Sequence, residues 1–429
     1  MKKKSIFAVG IGGSGLSGLA CILSKMGHRV YGSDASLSKN KREKLEKHKI
    51  ETYGTHSGKH ITNEISEVIY SQAIPKNNPE LLEAKKRKIA TLSYPKAIGK
   101  YLSNKKKICI AGTHGKTTTT AMIASIFLKA GKDPTVIVGS EVRELNNKNE
   151  RLGKSNIAVI ETCEYRNSFL DIPPSVLVIT NIDFDHIDFY KTKRNYDASF
   201  LKYMNMVSKN GAIIYLRGDK TAERLAKKVE HPRVIAVIPQ KITLKIPGTH
   251  NQNNAALALA AADYFKISRK KALKSLSEFS GTRRRLEYKG TCGKTKIYDD
   301  YGHHPTEIKA TLKALRDLYP RKKILTIFQP HQYSRTKAFL DEFSRAFKQT
   351  DSLIISNIYE ARDTPKDKSA ISLEKLVREI SKKHPKVASG KSIENTIKMT
   401  RKIAKNYDVI ITMGAGNIYR VSNEMLGPA

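Results

Sequence analysis

Cysteines and long apolar runs are scarce in this chain, which argues against a disulfide-rich, a paired-cysteine zinc or a membrane-spanning protein. Its 429 residues include four cysteines, far apart in sequence and without a Cys-x-x-Cys pair: Cys21, Cys109, Cys163 and Cys292. A disulfide framework or a paired-cysteine zinc site is therefore not expected, and a reducing cytoplasm fits this usage best. No stretch approaches the roughly 18 apolar residues of a membrane span. The lysine-rich start leads into a Gly-rich segment rather than an apolar core, so no signal peptide is expected.

Acidic residues are also few, with 40 Asp and Glu against 78 Lys and Arg, which gives a net charge of +38. Such an excess raises the possibility of a nucleic-acid or acidic-membrane partner. The lysines, however, are scattered through all regions and are not interleaved with aromatic residues, as single-strand binding surfaces are. We interpret the charge as a compositional bias on solvated helix faces and predict no nucleic-acid partner.

Strand-like apolar runs alternate with helical patterns along the whole chain, which predicts an α/β fold with parallel sheets. The length suffices for two or three domains. Composition and pattern divide the sequence into three blocks, at residues 1–105, 106–281 and 282–429.

The segment Gly112-Thr-His-Gly-Lys-Thr-Thr118 is the most informative motif. It lies between a strand pattern and a helical pattern, where backbone N–H groups and the positive helix end cradle phosphates. Lys116 is expected to reach the terminal phosphates, and the Thr117 hydroxyl to hold Mg²⁺. The usual loop has a glycine at the position of Ile110, so this loop is shortened. The alternative is a tight strand-to-helix turn without a ligand.

A second Gly-rich turn, Gly10-Ile-Gly-Gly-Ser-Gly15, opens the first block between a strand and a helix pattern. Asp34 follows at the distance where dinucleotide sites place their ribose-binding acid. Taken alone, this motif predicts NAD. Its physical basis is a pyrophosphate on a helix N-terminus, so any nucleotide diphosphate meets the same need.

Polar residues follow two predicted strands of the second block, with Glu161 after one, and Asp185 and His186 after the other. The carboxyl ends of neighbouring parallel strands face one crevice, which makes these residues candidate metal or phosphate partners. The alternative role of Glu161 is that of a solvated residue at a strand end, and the alternative role of His186 is a structural hydrogen bond in a turn. Asn251 and Asn254 precede an Ala-rich helix and suit either capping or adenine binding.

The third block carries two clusters of titratable residues at strand ends, within residues 298–307 and 328–336. Paired His and Tyr residues with a single Arg in such loops favour ligand binding over packing.

The phosphate loop, together with Asp299-Asp-Tyr-Gly-His-His-Pro305 and Phe328-Gln-Pro-His331, resembles the Mur ligases of peptidoglycan synthesis. The order of the segments is similar over all three blocks. The resemblance implies a Rossmann-like N-terminal domain for a UDP-sugar, a central P-loop ATPase domain and a Rossmann-like C-terminal domain for an amino acid. The first Gly-rich turn would then hold the diphosphate of UDP rather than NAD.

The implied reaction joins L-alanine to the lactyl carboxylate of UDP-N-acetylmuramate through an acyl phosphate, with ATP and Mg²⁺, in a cytoplasmic monomer or weak dimer. The residues implied to bind ATP are Gly112, Thr113, His114, Gly115, Lys116, Thr117, Thr118, Asn251, Asn254, Arg285 and Asp300. Those implied to hold metal are Thr117, Glu161 and His186. Those implied to contact the sugar or amino acid are Gly12, Gly13, Ser14, Asp34, Ser71, Tyr301, His303 and Arg335. The implied catalytic set is Lys116, Glu161, His186, His303 and Arg335. Closure of the third domain would exclude water from the acyl phosphate.

The chain departs from the family pattern in places. Gln332 stands where many members carry Arg, and the segment Glu161–Glu164 differs from the commoner acidic pattern. Residues 196–201 contain no lysine, whereas sibling ligases carry a carbamylated lysine there. Three alternatives remain: a family member that adds a recycled tripeptide to the same sugar, a basic nucleic-acid-stimulated ATPase, and an NAD-dependent oxidoreductase.

Overall fold

A computed structural model describes residues 3–427, which form three sheets. The first sheet is parallel, in the order β3-β2-β1-β4-β5. Its strands are β1 (Ser5–Val9), β2 (Arg29–Ser33), β3 (Glu51–Tyr53), β4 (Glu67–Tyr70) and β5 (Ala90–Ser93). The accompanying helices are α1 (Ser14–Lys25), α2 (Lys39–Glu46), α3 (Pro79–Lys86) and α4 (Tyr94–Tyr101). Phe7 and Val9 of β1 are fully buried, as expected for a central parallel strand covered on both faces.

The second sheet has seven strands in the order β12-β11-β10-β6-β9-β7-β8. They are β6 (Lys106–Ala111), β7 (Thr135–Val142), β8 (Lys148–Arg151), β9 (Ile157–Glu161), β10 (Val176–Ile179), β11 (Ala212–Leu216) and β12 (Val234–Val237). The helices of this part of the chain are α5 (Lys116–Lys129), α6 (Ile187–Tyr190), α7 (Lys193–Asn205), α8 (Lys220–Ala226), α9 (Thr249–Tyr264) and α10 (Arg269–Glu278). Strand β6 lies between β9 and β10, so the segments after these three strands meet at one edge of the sheet. The pair β7–β8 is antiparallel, an exception to the predicted parallel pattern.

The third sheet has six strands in the order β13-β14-β18-β15-β16-β17, and only its edge pair β13–β14 is antiparallel. Its strands are β13 (Glu287–Cys292), β14 (Thr295–Asp300), β15 (Ile324–Phe328), β16 (Ser352–Ile355), β17 (Val387–Ser389) and β18 (Val409–Met413). Its helices are α11 (Pro305–Leu318), α12 (Tyr333–Ala338), α13 (Leu340–Ser344), α14 (Pro365–Ser369), α15 (Leu373–Ser381), α16 (Ile393–Ile403) and α17 (Tyr419–Leu426). Apolar clusters cover both faces of this sheet.

The chain divides into two compact units. The first comprises Met1–Asp183, Tyr196–Pro239 and Ala255–Leu276, and the second comprises Phe184–Asn195, Gln240–Asn254 and Ser277–Ala429. Each predicted block holds one sheet, which confirms the α/β class, while the first two sheets belong to a single unit. The three domain boundaries stay a prediction. Among residues 3–427, no helix is long and apolar enough to cross a membrane.

Candidate active site

The shortened phosphate loop has a structural explanation. Ile110, at the position of the missing glycine, is fully buried within β6 and pairs with β9 and β10, so the strand continues where the usual loop begins. Gly112 then turns with φ +135°, and a Cβ there would lie 2.1 Å from Thr180 Oγ1. Gly115 caps α5 with φ +80°. Glycine is therefore required at both positions of the loop.

Asn181, which the sequence analysis did not single out, fixes this loop in place. The His114 N–H donates to Asn181 Oδ1 (3.0 Å), and Asn181 Nδ2 donates to the His114 carbonyl (2.8 Å). The Thr113 hydroxyl donates to the Asp183 carbonyl (2.6 Å) and also contacts the Tyr196 hydroxyl at 2.8 Å. Thr113 and His114 therefore hold the loop against the chain that follows β10. The position of Asn181, two residues after the end of β10, is the sequence feature from which its role could have been predicted.

Lys116 begins α5, and its ammonium turns back over the loop. It donates to the carbonyl of Thr113 at 3.0 Å and also to that of Gly112. The buried Glu164 carboxylate lies 3.0 Å away. Burial disfavours the charged ammonium, but Glu164 and Glu161 outweigh that effect and raise the pKa of Lys116 above its usual value. The lysine is thus held protonated beside the loop.

Thr117 and Glu161 bring two oxygen donors together. The Thr117 hydroxyl donates to Glu161 Oε1 (2.9 Å), and the Gly139 N–H donates to Oε2 (2.6 Å). Glu161 is the last residue of β9, and Thr117 is in the first turn of α5, next to the buried Thr118. A hydroxyl and a carboxylate are oxygen ligands of the kind Mg²⁺ prefers, so these residues fit that ion.

The first Gly-rich turn is closed by Asp34. The Gly12 N–H donates to Asp34 Oδ2 (2.9 Å), and a Cβ on Gly12 would come within 2.7 Å of that oxygen. The other carboxylate oxygen accepts the N–H and the hydroxyl of Ser36, each at 2.8 Å. Gly13 caps α1, and Ser14 is the first residue of that helix. The turn therefore presents a helix N-terminus beside a fixed carboxylate.

One cavity of about 280 Å³ in the first unit brings two of the predicted sites together. Gly13 and Ser71, both predicted to contact the sugar, line it. Glu161 and Gly139 line it as well, so the carboxylate predicted to hold metal faces the same space.

In the second unit, Asp300 is a buried carboxylate held by backbone amides. The Leu286 N–H donates to Oδ2 (2.6 Å), and the Gly302 N–H donates to Oδ1 (2.7 Å). Burial raises the pKa of Asp300 to about 6, although Arg285 opposes that shift. Arg285 also lies 3.8 Å from Glu307 and over the ring of Tyr301.

Asn251 and Asn254, expected to precede the Ala-rich helix, instead lie within the first two turns of α9, which begins at Thr249. Asn251 Nδ2 donates to the Pro247 carbonyl (2.6 Å), and Asn254 Nδ2 donates to Asn251 Oδ1 (3.4 Å). Both side chains are buried. Burial and nearby Arg285 lower the pKa of the adjacent His250 to about 4.

Three aromatic side chains gather at the ends of β14 and β15. His303 lies edge-on to Tyr301, with ring centroids 5.6 Å apart, and 5.4 Å from the ring of His331. Burial and the charge of Arg335 lower the pKa of His303 to about 4, so its imidazole is neutral near pH 7. Its Nδ1 donates to the Tyr301 carbonyl (3.1 Å), which leaves Nε2 as the acceptor of the ring.

Arg335, on α12, forms a buried ion pair with Asp185. Its Nε and Nη2 donate to the Asp185 carboxylate at 3.1–3.2 Å. Its Nη1 donates to Gln332 Oε1 (2.9 Å) and to the carbonyl of His331 (3.3 Å). Gln332 Nε2 in turn donates to the Ala361 carbonyl (2.7 Å), so its amide links Arg335 of α12 to the segment that follows β16. His186, next to Asp185, caps α6 with φ +53° and lies in the second unit, whereas Thr117 and Glu161 lie in the first.

Three protein-family models match the chain, one over the residues of each sheet. Residues 5–106 match the model described as Mur ligase family, catalytic domain; residues 110–239 match the Mur ligase middle domain; residues 284–416 match the Mur ligase, glutamate ligase domain. The chain belongs to the Mur ligase family. The ATP dependence implied by the resemblance is a property of this family, which accounts for the phosphate loop.

Curated relatives match nearly the whole chain. The UDP-N-acetylmuramate–L-alanine ligase of Clostridium acetobutylicum is 38% identical, over 99% of this chain and 97% of its own length. The ligase of the same name from Aquifex aeolicus is also 38% identical, with the same coverage. The crystal structure of UDP-N-acetylmuramate–alanine ligase from Thermotoga maritima superposes with a TM-score of 0.81 at 24% identity, covering 98% of both chains, which supports the fold.

Proposed function

We propose that this Mur ligase joins L-alanine to the lactyl carboxylate of UDP-N-acetylmuramate, releasing ADP and phosphate. The observation that carries the proposal is the 38% identity, over 99% of the chain, to relatives named for that reaction. We expect the reaction in the cytoplasm, where ATP and UDP-sugars are made.

In the proposed reaction, the carboxylate of the sugar attacks the γ-phosphate of ATP and forms an acyl phosphate. The amine of alanine then attacks the acyl carbon, and phosphate leaves. A carboxylate is a poor acyl donor until one of its oxygens becomes part of a good leaving group. The protein must therefore bind three reactants in register and keep water from the acyl phosphate.

The first unit supplies the groups for phosphoryl transfer. Lys116, held charged between loop carbonyls and Glu164, would turn to the β- and γ-phosphates of ATP. Thr117 and Glu161 would hold Mg²⁺, which neutralises phosphate charge when it is bound. The cavity that joins Gly13 and Ser71 to Glu161 gives the sugar a path toward the same carboxylate. We assign the diphosphate of UDP to the turn closed by Asp34.

The second unit supplies the groups for adenine and alanine. We assign Asn251, Asn254, Arg285 and Asp300 to ATP, and Tyr301, His303 and Arg335 to the amino acid and acyl phosphate; His186 would hold a second metal. The neutral His303 imidazole has an acceptor at Nε2 that can receive a hydrogen bond from the ammonium of alanine. Because Asp185 already accepts from Nε and Nη2 of Arg335, a substrate carboxylate that binds these two groups must displace Asp185.

Phosphate release tests the proposal. The full chain is incubated with ATP, Mg²⁺ and UDP-N-acetylmuramate, and then with L-alanine, glycine, L-serine or L-Ala-γ-D-Glu-diaminopimelate. We expect L-alanine to give the highest kcat/KM, and DNA or RNA to have no effect. Release supported only by the tripeptide would assign the chain to the recycling branch and contradict the proposal.

A further inference from the structure

Three potential metal ligands meet in the first unit at a place that the proposed reaction does not use. Cys21 comes from α1, His48 follows α2, and Glu150 lies in β8. Their Sγ, imidazole nitrogen and carboxylate oxygen all lie within 4.8 Å of one another. Cys21 and Glu150 are buried, with 0% and 1% exposure, and the His48 side chain is 14% exposed.

The two oxygens of the Glu150 carboxylate have different partners. Its Oε2 accepts a hydrogen bond from Lys44 Nζ at 2.9 Å. Its Oε1 is buried and has no hydrogen-bond partner among residues 3–427, with Lys25 Nζ in an ion pair at 3.5 Å and His48 Nε2 at 3.9 Å. A buried carboxylate oxygen without a hydrogen bond is unfavourable, so this atom points to a missing electrophile.

We propose that Cys21, His48 and Glu150 bind one divalent cation of the zinc class. A thiolate, an imidazole and a carboxylate are the ligand types that zinc takes, and water would complete a four-coordinate site. Zinc–ligand bonds of about 2.0–2.3 Å place tetrahedral ligands roughly 3.5 Å apart. The separation of His48 Nε2 from Glu150 Oε1, 3.9 Å, is close to that value, and the Cys21 sulfur lies within 4.8 Å of the other two ligand atoms.

Cys21 is a buried thiol, and the thiolate is the form of cysteine that binds a metal. Metal binding therefore forms the metal–sulfur bond as the S–H bond breaks, and the proton leaves to solvent.

The positive charges of Lys25 and Lys44 lower the affinity of the site for a cation but do not prevent a cation from binding. Their side chains are 31% and 25% exposed, so solvent screens their charge. A bound dication adds two positive charges, and the ionised Cys21 offsets one of them. Lys44 keeps its bond to Oε2, while Lys25 has only to yield the space before Oε1.

The site would join elements of two sheets. Cys21 and His48 belong to the first sheet's helical layer, whereas Glu150 belongs to the second sheet's edge hairpin. Asn149, beside Glu150, already donates to the Ser14 carbonyl at 2.7 Å and accepts from Lys44 at 2.7 Å. A metal here would strengthen an existing junction, and its effect would be on stability rather than on the reaction.

Cobalt and zinc titrations of the metal-free full chain test this proposal. We expect one Co²⁺ per chain with a thiolate-to-cobalt absorption band, competition by Zn²⁺, release of one proton, and a higher melting temperature with Zn²⁺. Cys21→Ser should abolish the band, and His48→Gln, at a partly exposed position, should weaken binding at least about tenfold. Cys292→Ser, which removes a thiol of the second unit, should bind as the parent does.

Three outcomes overturn the proposal. They are the absence of saturable Co²⁺ or Zn²⁺ binding, a thiolate band that survives Cys21→Ser in a variant with the parent's circular dichroism spectrum, and equal zinc affinity in His48→Gln. Loss of phosphate release would bear on the proposed function, whereas these readouts are spectroscopic and independent of it.

Discussion

Arg335 and Asp185 form a buried ion pair in which Nε and Nη2 of the guanidinium both donate to the carboxylate. Their side chains are only 4% and 8% exposed. The charge of Arg335 outweighs the effect of burial and holds the pKa of Asp185 far below its usual range. The pair ties α12 to the segment that carries His186, so one contact links two residues of the proposed catalytic set.

Breaking this pair should destabilise the protein. Asp185→Asn leaves a buried guanidinium without its counter-charge, and we expect the free energy of unfolding to fall by about 3 kcal/mol in urea denaturation. Asp341→Asn is the matched control, because Asp341 pairs with Arg345 on the surface, where the side chains are 68% and 59% exposed. That change should cost less than about 1 kcal/mol. Equal effects of the two changes would contradict the assigned burial.

Lys116→Ala should abolish ATP turnover and leave UDP-N-acetylmuramate binding largely intact. The ammonium contacts the phosphate loop, whereas the turn closed by Asp34 belongs to the first sheet. Phosphate release and calorimetric binding of the UDP-sugar measure the two effects separately. Lys132→Ala, just beyond α5, is the control and should behave as the parent does. Parallel loss of both functions in Lys116→Ala would count against the assignment.

Arg335→Ala should raise the KM for alanine more than the KM for ATP, because we place Arg335 beside the amino acid. Steady-state phosphate release with each substrate varied gives both constants. Arg345→Ala, an exposed arginine on the same stretch of chain, serves as the control. A larger change in the ATP constant would move Arg335 to the nucleotide side of the reaction.

The raised pKa of Asp300 leads us to expect that the free energy of unfolding depends on pH. Its pKa in the folded protein, about 6, is raised above the unfolded value near 3.8. The stabilising effect of protonated Asp300 is therefore complete below pH ~4 and is lost as the pH rises through about 6. Relative to Asp300→Asn, the parent should lose on the order of 3 kcal/mol of unfolding free energy over this window. Asp317→Asn, an exposed control, should show no such slope, and a flat difference for Asp300→Asn would contradict the raised pKa.

Local pattern predicted the sheets well. Strand-like apolar runs form strands as expected, for example β10 (Val176–Ile179) and β16 (Ser352–Ile355), because a buried parallel strand is an apolar run that stops at polar residues. The Ala-rich helix begins earlier than predicted, at Thr249, and includes Asn251 and Asn254, because polar residues at a helix start carry no apolar periodicity.

Contacts between segments that are distant along the chain could not be predicted from the sequence. The clamp of Asn181 on the phosphate loop, the approach of Gly139 to Glu161, and the bonds from Arg284 to Asp299, Gly414 and Gly416 depend on which strands become neighbours. The antiparallel β7–β8 hairpin was likewise not predicted, because its short edge strand has no apolar run. The phosphate loop could be found from the sequence, because its residues are consecutive and lie between a strand pattern and a helical pattern.

The central claim is that ATP activates the carboxylate of UDP-N-acetylmuramate, and oxygen transfer tests it most directly. UDP-N-acetylmuramate labelled with heavy oxygen in its lactyl carboxylate is turned over with ATP, Mg²⁺ and L-alanine, and the phosphate is analysed by mass spectrometry. Attack of the carboxylate on the γ-phosphate predicts one heavy oxygen in each phosphate released. Unlabelled phosphate would show that water, rather than the sugar's carboxylate, receives the phosphoryl group, and would contradict the account.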